Sequence, residues 1–433
     1  ITTASNNGST YFSGTLETTG STLGGNVLIT ANNITLASNS TITATGNYGG
    51  GTVLIGGDWQ GSNGVYQATT VNMNSGAMID ASALINGDGG KVVLWADITN
   101  LNSKSEIHGT ILAKGGVIGG FGGRVETSAG SLSTQNIFVD TRAADGSAGY
   151  WLLDPYNYVI NSTAAASIAS ALVSSNILIS TSTLSPYYDS LGSCSTCGDI
   201  QLNSAIAYTG STARSLTLKA DSSITINANI TSTNAALDII LWSDSQAKGG
   251  NGTGGYIYVA PGVTLSSNGG KLVLAGGADN NSDGIPDSYA WNALSNSYAG
   301  IQFGAIGGVD GLNGASINLL SNGGNIIIRG YTSGSSAYPG MTTQKTFKID
   351  SGTGAILIDG GSSVGHGFEW VYGLDAANFV ISKNTNHPIL KLWTEKKGGS
   401  KIKLYSARNG FDEADFVVSE VTKLHSYKDI AVL

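Results

Sequence analysis

The sequence predicts an all-β chain wound as a parallel β-solenoid, and three observations carry that prediction. Of 433 residues, 62 are Gly and 6 are Pro, while Asp, Glu, Lys and Arg together make up only 12%; an ordinary globular domain carries about twice that charge. Hydrophobic residues still reach 41%, too many for a disordered Gly/Ser linker. The third observation is a phrase that keeps returning: two glycines, one variable residue, then β-branched or alternating apolar residues.

The phrase stands as GGNVLIT at 24–30, GGTVLIGG at 50–57, GGKVVLWAD at 89–97 and GGRVETS at 122–128. It recurs as GGYIYVA at 254–260, GGKLVLAGG at 269–277, GGNIIIRG at 323–330 and GGSKIKLYS at 398–406. Between these lie stretches such as NITLASNSTITATG, apolar at every second position, which is the mark of a half-buried strand. Short strands separated by Gly/Asn/Ser corners at a fixed period imply stacked coils that share one core. At about 20–25 residues a coil, the chain would make roughly 17–20 of them. The competing fold is a pair of antiparallel β-sandwiches, which needs two-residue hairpins at regular spacing. Asn63-Gly64, Asn86-Gly87 and Asn313-Gly314 have that chemistry but fall inside the longer phrases.

Three parts are expected along the chain. Residues 1–160 carry the regular phrases, and residues 161–364 continue them with insertions. Residues 365–433, much richer in charge, form terminal coils or a small β subdomain; charged side chains blunt the exposed edge of a last coil. The insertions are a short helix over 161–175 starting near Ser162 or Thr163, a cysteine loop at 194–197, and an acidic loop at 279–287. In GYWLLDPYNYVI, at 149–160, Trp151 to Leu153 read as a buried strand. Pro155 lacks an N–H and holds Asp154 extended, so the ladder is expected to turn there, with Asp154 as a turn former.

A net charge of −8 and a pI near 4.9 argue against nucleic acid or an anionic membrane as partner, since both need a basic face. No run approaches the roughly 18 apolar residues that span a bilayer, and the first residues are not a signal peptide.

The candidate chemistry is sparse. In ADNNSDGIPDSYAW, Asp279, Asn281, Asp283 and Asp287 are spaced as a calcium loop, with Gly284 at the sharp turn and a carbonyl near Ile285. Ala290 stands where an EF-hand needs its bidentate Glu, which leaves a simpler Ca²⁺ loop or an acidic turn without metal. Cys194 and Cys197, in GSCSTCGD, fit a small loop disulfide or inert thiols better than a zinc or redox pair, which would need further ligands or a following helix. His366 lies between glycines, a sequence also found in β-helical polygalacturonases, but no Asp pair accompanies it as sugar hydrolysis requires. The arginines (Arg124, Arg142, Arg214, Arg329, Arg408) and the histidines (His108, His387, His425) are dispersed, and no Ser/His/Asp set forms. Sequons at Asn7, Asn33, Asn39, Asn161, Asn229, Asn251 and Asn280 fit unmodified polar turns. Of the aromatics, Trp95 and Trp151 read as buried and Trp59 and Tyr66 as exposed. No catalytic residue is expected.

From Gly49 to Ile160 the chain resembles the secreted exoproteins of bacterial two-partner secretion, the filamentous-haemagglutinin and high-molecular-weight adhesin group. The phrases that carry the resemblance stand in order: GGGTVLIGGDWQGSNGVYQATTVNMNSGAMIDASALINGDGGKVVLWAD, then GTILAKGGVIGGFGGRVETSAG, then VDTRAADGSAGYWLLDPYNYVI. The resemblance implies a right-handed parallel β-helix, secreted to the bacterial surface and displayed as a shaft that attaches to host-cell or surface glycans and proteins. It also implies an outer-membrane secretion partner, met through an amino-terminal domain with Asn-Pro-Asn motifs. None occurs here, so the expectation is a segment downstream of that domain.

Overall fold

The computed structural model describes residues 2–181, 198–247, 255–292, 299–304, 315–333, 340–343, 347–362 and 368–370. The chain divides into two compact units, Ile1–Gly373 and Leu374–Leu433. The second unit, the Cys194/Cys197 loop, His366, His387, His425, Arg408 and Asn251 lie outside the described residues.

Strand is the main regular structure of the described residues, and every pairing between their named strands is parallel. The sandwich alternative, which needs antiparallel hairpins, is thereby overturned. One 16-stranded sheet runs through the first unit. Its backbone is a series of eleven strands: Asn26–Leu36, Thr52–Ile55, Lys91–Trp95 and Arg124–Ala129, then Tyr150–Pro155, Asn176–Ser180, Arg214–Lys219, Leu237–Ser243, Leu272–Gly276, Ile326–Thr332 and Ile356–Ser362. The first four, Leu272–Gly276 and Ile326–Thr332 follow Gly-Gly phrases, whereas the strand after GGYIYVA, Ile257–Val259, joins another sheet. Register is kept along the whole series. Ile29 pairs with Ile55, Ile55 with Leu94, Leu94 with Thr127, Thr127 with Leu153 and Leu153 with Ile179. Ile179 continues to Leu218, Leu241, Leu274, Ile328 and Ile358. A second column two residues earlier runs Val27, Val53, Val92, Val125, Trp151, Ile177.

These columns are the core. A slip of one residue would turn every apolar side chain outward, so the buried columns hold the register they depend on. The polar exception, Thr127, is explained by its neighbour: Trp151 Nε1 donates to Thr127 Oγ1 at 3.0 Å, and both are fully buried.

The paired glycines are demanded by close approach at the corners. A Cβ on Gly24, Gly50, Gly89 or Gly122 would strike the carbonyl oxygen of Ala44, Ala81, Ala113 or Thr141, each the first residue past a strand of a flanking five-stranded sheet. The repeat length is less regular than expected. Partner strands are 26 residues apart from Val27 to Val53 but 54 apart from Leu272 to Ile326, so insertions make the repeats longer and fewer.

At the middle of the unit the flanking sheets change. A five-stranded sheet, Thr15–Glu17 to Phe138–Asp140, accompanies the first half. Two new sheets, starting at Tyr158–Ile160 and Ile206–Tyr208, accompany the second. The helix Ser162–Leu172 stands at the change, burying Ala165, Ile168, Ala171 and Leu172. It starts at Ser162, as expected, and its cap is Asn161, whose side chain accepts from the N–H groups of Thr163 and Ala164; this satisfies two of the free donors of the first turn.

Asp154 is not a turn former. Asp154 and Pro155 are still in strand, opposite Ser128 and Ala129, while the pairing on the other side ends at Leu153–Ile179. Proline cannot donate to a ladder, but as the last strand residue it needs no partner there, and the chain bends after it.

Candidate functional site

The face of the main sheet turned away from the core carries two carboxyls whose pKa values are strongly raised, Glu126 and Asp154. Val125, Thr127 and Ala129 point inward, so Arg124, Glu126 and Ser128 point outward, where solvent is the usual neighbour. Yet Glu126 is 0% exposed and Asp154 3%. Over Glu126 the cause is the insertion GGDWQGSNGVYQA, between the strands Thr52–Ile55 and Thr70–Met73, which folds back onto this face and brings the Gln60 N–H to the carboxylate.

The insertion is held by side-chain clamps. Its tight path needs left-handed backbone at Gly56, Gln60, Gly61, Asn63 and Gly64. Asp58 accepts from Trp59 N, from Lys91 Nζ and from Asn63 Nδ2, each at 2.7 Å. The N–H of Gln60 donates to Glu126 Oε2 at 2.9 Å, and Ser128 Oγ donates to Glu126 Oε1 at 3.0 Å. Trp95 Nε1 donates to Gln67 at 2.9 Å. Trp59 packs with Val93, Trp95, Ile98 and Leu54, stands edge-on to Tyr150 at 5.8 Å and lies under the Arg124 guanidinium at 4.9 Å. Trp95 and Trp151 are buried as expected. Trp59 and Tyr66, expected to be exposed, are half-buried because the insertion lies down on the sheet.

Burial dominates the electrostatics. It pushes the Glu126 carboxyl up to about 8, with the neighbouring Asp154 and Asp58 charges adding to the rise and the Gln60 and Ser128 hydrogen bonds opposing it. Burial pushes Asp154 up to about 7, against the pull of Lys219. Asp154 Oδ1 has no hydrogen-bond partner among the described residues. For Asp58 burial also raises the pKa, but Lys91, Asn63 and Trp59 outweigh it and the net shift is downward. Lys219 is lowered by burial, opposed by Asp279 and Asp154, and sits 4.2 Å from the Trp242 ring.

Lys219 leads to the acidic loop, a second insertion on the same face. The loop is docked by Trp242 Nε1 donating to Gly277 O, by Arg329 donating to Pro286 O and by Ile285 against Trp242 and Ile240. Inside it the expected ligands bind the loop's own backbone. Asp279 accepts from the N–H groups of Asp283 and Gly284, Asn281 from Asp283, Asp283 from Ile285, and Asp287 from Asn280. Ser282 and Gly284 take positive φ. Among the described residues no three His, Cys, Asp or Glu side chains gather as a metal-holding group.

Sequence reasoning missed the Asp58, Glu126 and Asp154 cluster. An alternating strand places Glu126 on the solvent side by default, and the available signal was the extra length of the insertion after Ile55. With Lys91 and Lys219 the cluster makes five ionisable groups, four on strands of one face and Asp58 on the insertion. Its two central carboxyls are sealed by protein, so what the arrangement does is tie an insertion to a sheet.

No known protein-family profile matches the chain. Short segments are similar to ATP-dependent DNA helicase PcrA: 45% identical over 65 residues to the protein of Leuconostoc citreum and 43% over 65 residues to that of Bacillus subtilis (strain 168). Each match covers 14% of this chain and 9% of the helicase. No helix of the described residues is long and apolar enough to cross a membrane.

Proposed function

We propose that the chain is a right-handed parallel β-helix belonging to a secreted or surface-displayed bacterial exoprotein of the two-partner secretion type, and that it acts as an attachment rod for glycans or proteins of a target surface. The observation that supports this reading most is the unbroken parallel register from Val27 to Ile358. Such stacking gives reach and a long repetitive surface, on which many weak contacts add up through multivalency. The buried carboxyls favour structure over a polysaccharide-cleaving alternative, because a sugar bond must reach both its acid and its base.

The test is a binding screen with the full chain against a glycan array and intact epithelial and bacterial cells, with single-stranded DNA as a further probe. Attachment predicts saturable binding to a defined glycan set or cell surface and none to DNA. The short helicase-like segment supplies the opposing expectation, and binding to DNA alone would overturn the attachment reading.

A further inference from the structure

The corners of four successive repeats carry a ridge of exposed apolar side chains. Leu23 stands on the first corner at 62% exposure and Tyr48 on the second at 56%, followed by Leu84 and Ile85 on the third. On the fourth, Val117 is 73% exposed, Ile118 66% and Phe121 58%. These residues are neighbours in space because the corners stack as rigidly as the strands. Tyr48 N donates to Thr22 O at 2.7 Å, Leu84 N to Gly46 O at 2.9 Å, Ile85 N to Asn47 O at 3.0 Å and Ile118 N to Ile85 O at 2.9 Å. Residues 20, 46 and 83 form one row of parallel bridges, and residues 86 and 119 another.

The segments 21–24, 46–49, 83–87 and 115–121 contain no Asp, Glu, Lys, Arg or His. Charge begins only at the rim, with Asp88, Lys114 and Asp145. An apolar centre with a polar rim is the anatomy of a protein interface. Its size also fits: large apolar side chains of roughly 150–200 Å² each, exposed to these fractions, leave about 700 Å². That exceeds what most monomers expose in one patch, about 300–600 Å², and is close to the roughly 800 Å² each partner contributes to a stable complex.

We infer that this ridge is a self-association surface, and that a second copy of the chain packs against it through a two-fold axis. A two-fold contact needs a patch complementary to itself. Here Leu84 and Ile85 lie midway, with Leu23 and Tyr48 on one side and the Val117, Ile118 and Phe121 group on the other. Two ridges running in opposite directions therefore set the larger apolar group of one copy on the smaller group of the other. Both copies share one repeat spacing, so contacts recur at each corner. A lipid surface fits less well, since the net charge is −8 and the cations beside the ridge are Lys114 and an Arg142 already paired with Asp140, whereas peripheral membrane faces carry basic clusters. The inference does not rest on the attachment reading, because dimerisation and surface binding are read separately.

The test is sedimentation velocity of the full chain from about 0.1 to 100 µM. It is run beside a variant carrying Ile118→Asp with Phe121→Asp, and beside Val159→Asp as a control at a 51% exposed position on another sheet. The expected result is a concentration-dependent dimer of the parent chain with a micromolar or tighter dissociation constant. The double variant should weaken it about tenfold or more with unchanged circular dichroism, and Val159→Asp should leave it alone. A parent chain that is monomeric throughout overturns the proposal, as does a dimer that the double variant leaves intact. A monomer that floats with phosphatidylcholine vesicles, and stops doing so in the double variant, overturns it in favour of lipid.

Discussion

Thr127 interrupts a column of Ile, Leu and Val because the indole N–H of Trp151 needs an acceptor inside the core. Trp151→Phe removes the donor and leaves a buried hydroxyl unsatisfied, at a cost of about 1–3 kcal/mol. Adding Thr127→Val should restore part of that stability. Chemical denaturation of the single and double variants measures the coupling, and strictly additive losses would show that the pair does not interact. The buried carboxyls make a second prediction at this scale. Folding raises Glu126 from 4.5 to about 8 and Asp154 from 3.8 to about 7. Both folded values exceed the unfolded ones, so their stabilising contribution is complete below about pH 4 and is lost as pH rises through 7 and 8. The loss should be on the order of a few kcal/mol between pH 5 and 9. Glu126→Gln should raise the melting temperature at pH 9 by several degrees and leave it nearly unchanged at pH 5. A parent melting profile that is flat over this range would rule out neutral carboxyls beneath the insertion.

At the scale of elements, the corners should be far less tolerant than the insertions. Gly122→Ala drives a methyl into the Thr141 carbonyl, and nothing can move without shifting a neighbouring repeat; soluble expression should fall sharply. Gly64→Ala, at the tip of the insertion with open space around it and φ of +62°, should cost only about 1–2 kcal/mol for the left-handed backbone. Comparing soluble yields and melting temperatures separates the two. Strands and corners were legible in the sequence because the same contact recurs: GGRVETS and GGKVVLWAD repeat a pattern set by one geometry. The helix was legible too: it starts at Ser162 as expected, with Asn161 before it as the cap. Asp154 was misread because a proline after an acidic residue signals a turn locally, whereas the strand Arg124–Ala129, far away in sequence, holds it extended. The Glu126 cluster was not legible, because burial there depends on where an insertion of no regular pattern comes to rest.

For the first unit as a whole, the acidic loop is closed by its own backbone hydrogen bonds, so its folding should not depend on a divalent ion. Melting temperatures with millimolar Ca²⁺ and with chelator should agree within about a degree; a rise with calcium, lost in Asp283→Asn, would identify Asp279, Asn281, Asp283 and Asp287 as ligands. The in-register ladder has a mechanical consequence as well. Its inter-strand hydrogen bonds lie along the direction in which the repeats succeed one another, so tension between the Val27 and Ile358 ends meets them one row at a time. The ladder should yield as a zip does, repeat after repeat at modest force, where strands pulled along their own length would resist as a group. Extension under an optical trap should then show a series of small releases whose lengths vary with the repeats, the longest from the step between Leu272 and Ile326.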